Sequence, residues 1–95
     1  MEAKVQAVIV DDEENSLEAL AILLQKYCPD VQVAGAAQTV ESAIELVNSV
    51  KPELLFLDIA LPDGQGFEIL DEVGFSDFEV IFTTAYDQYR FVSFN

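Results

Sequence analysis

The feature that most restricts the fold is a set of short apolar runs that fail to alternate. VQAVIV (5–10), LLFL (54–57) and VIF (80–82) are nearly continuous in branched and aromatic residues, and a further run spans Val31 to Ala36. A strand with one wet face reads apolar, polar, apolar, whereas a parallel strand covered by helices on both faces reads as these do. Such cover has to come from between the runs, which are spaced by about two dozen residues, the repeat of strand, helix, strand.

The intervening segments fit that role. In ENSLEALAILLQKYC, Leu17, Leu20, Leu24 and Tyr27 recur at steps of three and four, while Glu18, Gln25 and Lys26 can face water. Val40, Ala43, Ile44, Val47 and Val50 repeat the pattern, with Thr39 as the N-cap and Pro52 just past the end. Pro62-Asp63-Gly64 has the chemistry of a tight turn, and FEILDEV then places Phe67, Leu70 and Val73 on one face of a short third helix. In the last ten residues, Tyr86, Tyr89 and Phe91 have the spacing to open a fourth helix. The order is β-α-β-α-β-α-β, an α/β domain over 1–95.

Bulk properties narrow the class. The 95 residues suffice for one hydrophobic core, and a 52% hydrophobic content excludes a disordered acidic tail. Eighteen acidic residues against four basic ones leave a net charge of -14, which repels nucleic-acid phosphates and anionic membranes and attracts cations. The start, MEAKVQAVIVDDEE, lacks a signal-peptide apolar region, and no stretch approaches eighteen apolar residues, so the reading is cytoplasmic. Cys28, the single cysteine, reads as a small buried hydrophobe at a helix end and precludes an intramolecular disulfide.

Charge placement points to chemistry. The first run ends on Asp11, Asp12, Glu13 and Glu14, and the third ends on Asp58. Ligands of open parallel sheets bind beyond the carboxyl ends of the strands, so adjacency of those two strands would bring Asp11, Asp12 and Asp58 together. Two carboxylates ~4 Å apart repel by roughly 4 kcal/mol at an effective dielectric constant of about 20, so the group needs a proton or a cation. Oxygen-only, partly hydrated ligands suit Mg2+. A carboxylate beside such an ion is also a nucleophile towards phosphorus, and Asp58 is the candidate. Thr84 or Thr83, at the end of VIFTT, could donate a hydroxyl to a phosphoryl oxygen. Glu13 and Glu14 favour the positive end of the following helix.

With these residues in place, the chain resembles the receiver domains of two-component response regulators over nearly its whole length. VIVDDEE matches the acidic pair, LLFLDIALPDGQG the phosphoacceptor strand and loop, and VIFTTAY the switch strand. The resemblance implies a flavodoxin-like parallel sheet of order 2-1-3-4. It implies Asp58 as phosphoacceptor, Asp12 as direct Mg2+ ligand, Asp11 as ligand through water, the Ala60 carbonyl as a further ligand and Thr84 as the switch hydroxyl. Glu13, Pro62, Gly66, Ala85 and Tyr86 adjoin the site, Pro62 and Gly66 keeping the family's spacing of four and eight residues after Asp58.

Such a module is a phosphoacceptor rather than an enzyme, with a sensor histidine kinase as donor. EVGFSDFEVIFTTAYDQY further resembles receivers joined to LytTR-type DNA-binding outputs, so transcription regulation is the implied role. No output domain lies within these residues.

In the family a fifth strand carries a phosphate-pairing lysine, and the strand spacing puts it at about residue 104, beyond Asn95. None of Lys4, Lys26, Lys51 or Arg90 stands in its place. The expectation is therefore a C-terminally incomplete receiver, with the fifth strand and last helix missing. VIFTT would be an open sheet edge, favouring a homodimer or strand-exchanged oligomer.

Three other readings are weighed against this one. An interaction-only receiver fold would no longer switch. A Mg2+-dependent phosphoryl-transfer enzyme using Asp-x-Asp lacks its second carboxylate, because position 60 is Ala. A flavodoxin-like nucleotide binder lacks glycine in the first strand-to-helix loop.

Overall fold

The computed structural model describes residues 4–73, 77–84 and 90–94. Strands β1 (Val5–Val10), β2 (Val31–Ala37), β3 (Leu54–Asp58), β6 (Glu79–Thr84) and β7 (Arg90–Phe94) form one sheet in the order β2-β1-β3-β6-β7. Helices α1 (Glu14–Tyr27), α2 (Val40–Val50) and α3 (Glu68–Glu72) alternate with them, and two-residue strands β4 (Ala60–Leu61) and β5 (Gly64–Gln65) make a small antiparallel hairpin after β3.

The non-alternating runs have the expected cause. Along β1, Ala7 and Ile9 pack on the α1 side with Leu17, Leu24 and Phe56, while Val8 and Val10 pack on the α2 side with Ala43, Val47, Leu55 and Leu57. Successive residues serve alternate cores, so Ala7 to Val10 must all be apolar. Of α1, Leu17 and Leu24 are buried, Leu20 is half-buried and Tyr27 is 67% exposed. The predicted stripe thus stops one turn early, because Tyr27 is the last helical residue, with its ring under the Lys26 ammonium. Cys28, expected to be buried, is exposed at the C-cap of α1, where the chain turns towards β2. Ile69, fully buried, anchors α3 in place of the predicted Phe67, which is 51% exposed. Phe67 only precedes this short helix as its N-cap.

Helix α2 has complete ends. The Thr39 side chain accepts from the Ser42 N–H at 3.1 Å and the Ser42 hydroxyl accepts from the Thr39 N–H at 3.3 Å, a reciprocal box. At the far end Lys51 turns into the left-handed region (φ 53°), its N–H bonding the Val47 carbonyl, and buried Pro52 prevents continuation.

The parallel part, β2-β1-β3-β6, has the order expected. The difference lies at its edge. Strand β7 runs antiparallel to β6, from Val80↔Phe94 to Thr84↔Arg90. The open VIFTT edge expected from the sequence is therefore covered, and Phe91 lies in a strand rather than in a fourth helix; Tyr86 and Tyr89 fall outside the described residues. An unpaired edge presents a row of N–H and C=O groups, and RFVSF, rich in branched and aromatic residues, suits that pairing.

Candidate functional site

Strand order makes the site. The chain moves outward from β1 to β2, returns through α2 to β3 on the other side of β1, and so reverses direction between β1 and β3. Crevices of α/β sheets open at such reversals. The register pairs Val10 with Leu57, so the next residue on each strand is acidic: Asp11 beside Asp58.

One carboxylate oxygen from each of Asp11, Asp12 and Asp58 lies within 4.8 Å of the other two. Asp11 and Asp58 are half-buried and Asp12 is exposed, so the group is open to water on one side. Backbone contacts fix all three residues. The Asp11 N–H bonds the Ala37 carbonyl at the end of β2 (3.1 Å), and its Oδ1 accepts from the Glu13 N–H (2.9 Å). The Asp12 carbonyl accepts from the Gln38 side-chain amide (3.2 Å), and Asp58 Oδ1 accepts from the Ala60 N–H (3.4 Å).

These surroundings raise two carboxyl pKa values. Burial lifts Asp58 above its ordinary value, the Ala60 N–H opposes the rise, and the Asp12 charge adds to it. Asp11 rises for the same reason, burial first, against the Glu13 N–H and with the charges of Asp58 and Asp12. A carboxyl raised in the folded state stabilises the fold when protonated, and that contribution is lost as pH rises from 3.8 through the folded values. The metal-free protein is expected to melt at lower temperature at pH 7 than on the acidic side of neutrality. Saturating Mg2+ is expected to raise the melting point at pH 7 and flatten the slope. Melts in dilute protein across that range, with Mg2+ or with a chelator, test this; a chelated protein most stable at neutral pH would refute it.

The other sequence candidates divide by position. Glu13 is the N-cap of α1 and Glu14 its first residue; the Glu13 carboxylate accepts from the Ser16 hydroxyl within its own helix (3.2 Å). Ala60 lies in the hairpin, paired with Gln65, and Pro62 is exposed in its turn. Gly66 is buried beneath Asp58: its N–H bonds the Ile59 carbonyl, and a Cβ there would run into the Asp58 carbonyl oxygen. Thr83 pairs in register with Asp58. Thr84 ends β6, its side chain lying outside the described residues together with Ala85 and Tyr86. Lys4, Lys26 and Lys51 stand just before β1, in the last turn of α1 and just before β3, all at the opposite end of the sheet.

One residue was read from the sequence only as part of a turn. Asp63, at the tip of the hairpin, accepts from the Val40 N–H through Oδ1 (2.7 Å) and from the Glu41 N–H through Oδ2 (3.2 Å), closing the N-terminus of α2 from a distance. The Val40 N–H chiefly, with that of Glu41, holds its carboxyl below the usual value. The Asp-Gly turn and the Thr39 cap were both legible, but not that they meet.

Residues 7–93 match the response regulator receiver domain, and the chain belongs to that family. Among curated relatives it is 37% identical over 91 residues to the sensory transduction protein LytT of Bacillus anthracis and 38% identical over 94 residues to the transcriptional regulatory protein BtsR of Salmonella typhi. These alignments cover 94% and 95% of this chain but 37% and 38% of the relatives, so the chain spans little more than a third of their length. Among solved structures, the receiver domain of PhyR from Erythrobacter litoralis superposes with a TM-score of 0.76 at 32% identity, covering 88% of this chain and 65% of that one. A two-component response regulator of the LuxR family from an Aurantimonas species superposes at 0.80 with 20% identity, covering 90% and 61%, a likeness of fold. The family is one of signalling proteins rather than of classical enzymes. Among the described residues, no helix is long and apolar enough to cross a membrane.

Proposed function

We propose that this receiver accepts a phosphoryl group on Asp58 from a phosphohistidine of a sensor kinase, with Mg2+ held by Asp11, Asp12, Asp58 and the Ala60 carbonyl. The observation that carries the reading is the meeting of three carboxylates, two of them with raised pKa, at the reversal point of the sheet. The donor set fits the ion: it is all oxygen, and exposed Asp12 leaves room for waters. Bound there, Mg2+ would neutralise charge as the phosphoryl group arrives.

The residues of the chain do the rest. Asp58 is the nucleophile: its carboxylate oxygen bonds phosphorus as the P–N bond to histidine breaks and the imidazole nitrogen keeps the electron pair. The Ala60 N–H sets the direction of the Asp58 carboxylate by holding Oδ1. Thr84 would supply the hydroxyl that reads the new phosphoryl oxygens, drawing the end of β6 towards the site. A DNA-binding output of the LytTR type is the proposed recipient of that change, in keeping with the LytT and BtsR relatives. With the β6 edge covered, self-association, as a homodimer or by strand exchange, would fall to β7 at the edge of the sheet; it is an added proposal, checked by light scattering over a concentration series.

The test is incubation of the chain with a small phosphodonor and Mg2+, read by intact mass and peptide mapping, with beryllofluoride as the stable analogue. The expected result is one Mg2+-dependent modification on Asp58. Saturable Mg2+ binding with no adduct of either kind would instead assign an interaction-only receiver. Absence of both binding and adduct would overturn the reading.

A further inference from the structure

The hairpin that follows the phosphoacceptor strand is held at three levels. At its base, the Gly66 N–H bonds the Ile59 carbonyl; in its middle, Ala60 pairs with Gln65, whose N–H also bonds Glu68 Oε1 at 3.1 Å; at its tip, Asp63 bridges the first two N–H groups of α2. The base bond and the Ala60–Gln65 pairing are internal to the loop, while buried Leu61 seats it on the core and the Gln65 bond to Glu68 links it to the first residue of α3. Among the described residues, the Asp63 bonds are the hydrogen bonds that fasten it to α2, with a charged acceptor on two N–H groups left over by the Thr39 box, which serves Ser42.

We propose that Asp63 is a positioning residue for the cation and phosphoryl site, acting by clamping the Ala60-bearing hairpin to α2. The route is short. Asp63 fixes the hairpin, the hairpin fixes the Ala60 peptide, and the Ala60 N–H in turn holds Asp58 Oδ1. The carbonyl of Ala60, in the adjoining peptide unit, is the proposed backbone ligand, so a clamp that fixes residue 60 bears on both a ligand and the direction of the nucleophile. The low pKa of Asp63 keeps it ionised throughout the neutral range, so the clamp is set at every pH at which the site would work. This rests on the function proposed above.

A helix cap and a loop clamp are distinguishable, because α2 has a second cap with no link to the hairpin. Mg2+ affinity is measured by calorimetry for the unaltered chain, Asp63→Ala, Asp63→Asn and Thr39→Ala, beside the melting temperature of each. Thr39→Ala removes the Ser42 cap alone and is expected to lower the melting point while leaving the Mg2+ dissociation constant within about twofold. Asp63→Ala is expected to weaken Mg2+ binding about 3- to 10-fold, the loss typical of removing a support behind a metal ligand being tenfold or more. Asp63→Asn, which keeps one acceptor for the Val40 N–H, is expected to fall between. If Asp63→Ala does not fold, the comparison of Asp63→Asn with Thr39→Ala decides alone. Equal affinities for the Asp63 and Thr39 variants, whatever their melting points, would reduce Asp63 to a helix cap and overturn the inference. Failure of the unaltered chain to bind Mg2+ would be a different result, striking the proposed function and this inference with it.

Discussion

Asp58→Asn is expected to move two properties in opposite directions: phosphoryl uptake falls to background, and the metal-free protein becomes more stable. The first effect follows from replacing the attacking carboxylate by a neutral amide, which is not a nucleophile towards phosphorus. The second follows from relieving repulsion among three carboxylates within 4.8 Å of one another. A pair at that separation repels by roughly 3 kcal/mol at an effective dielectric constant of about 20, and solvent around this half-open site reduces the net gain to about 1 kcal/mol. For a domain of this size that is a rise of roughly 4–8 °C in melting temperature. The gain should disappear in saturating Mg2+, because the unaltered chain then has its charges compensated and the variant has lost a ligand. Melts of both proteins with Mg2+ and with a chelator, at pH 7, provide the check. A variant less stable than its parent in the chelator would show that Asp58 is held by favourable contacts that outweigh the repulsion.

Gly66→Ala is expected to be among the most damaging single-methyl changes available in this chain. The obstacle is the Asp58 carbonyl oxygen, a backbone atom in a strand paired on both sides, with the Leu57 side chain next to it. Neither can rotate away as the end of a long surface side chain would. The cost of forcing extra volume into such a place is about 2–3 kcal/mol, or roughly 10–20 °C. The displacement would fall on Asp58 itself, so Mg2+ affinity should drop together with stability. Calorimetric unfolding and Mg2+ titration of the variant test both parts; an unchanged melting point would mean that the hairpin does not approach β3 so closely. The eight-residue spacing between Asp58 and Gly66 thus has a steric reason: it returns the chain over the strand end at a distance only a residue without Cβ permits.

Much of the architecture was legible because it rests on local chemistry. Ala7 and Ile9 serve one core while Val8 and Val10 serve the other, and no arrangement except a sheet between two layers rewards that composition. Thr39, two residues past the end of β2, is an N-cap by side-chain chemistry alone, and it caps. Helix ends were read less well. Tyr27 and Phe67 continue the helical spacing in the sequence, yet both are exposed, since whether a residue at a terminus is covered depends on how far the neighbouring layer extends. Exposed Cys28 has the same explanation.

The candidate site shows where that legibility ends. Asp11, Asp12 and Asp58 were recognisable as acidic residues closing apolar runs, and the repulsion among them required a cation or a proton wherever they met. That they meet depends on β1 pairing with β3 in a register that sets Asp11 beside Asp58, a matter of strand order and not of composition. Strand β7 is likewise a tertiary outcome: RFVSF can serve as helix or strand, and the unsatisfied edge of β6 selects the strand. Most of all, no pattern within α2 or within LPDGQG announces that Asp63 joins them. By itself the sequence determined which residues must be buried, which can cap, and which charges cannot be left alone, because those are properties of side chains and their near neighbours. The tertiary structure alone decided which distant groups share a site, because bonds such as Asp63 to Val40 and contacts such as Asp11 to Asp58 exist only once the sheet has its order.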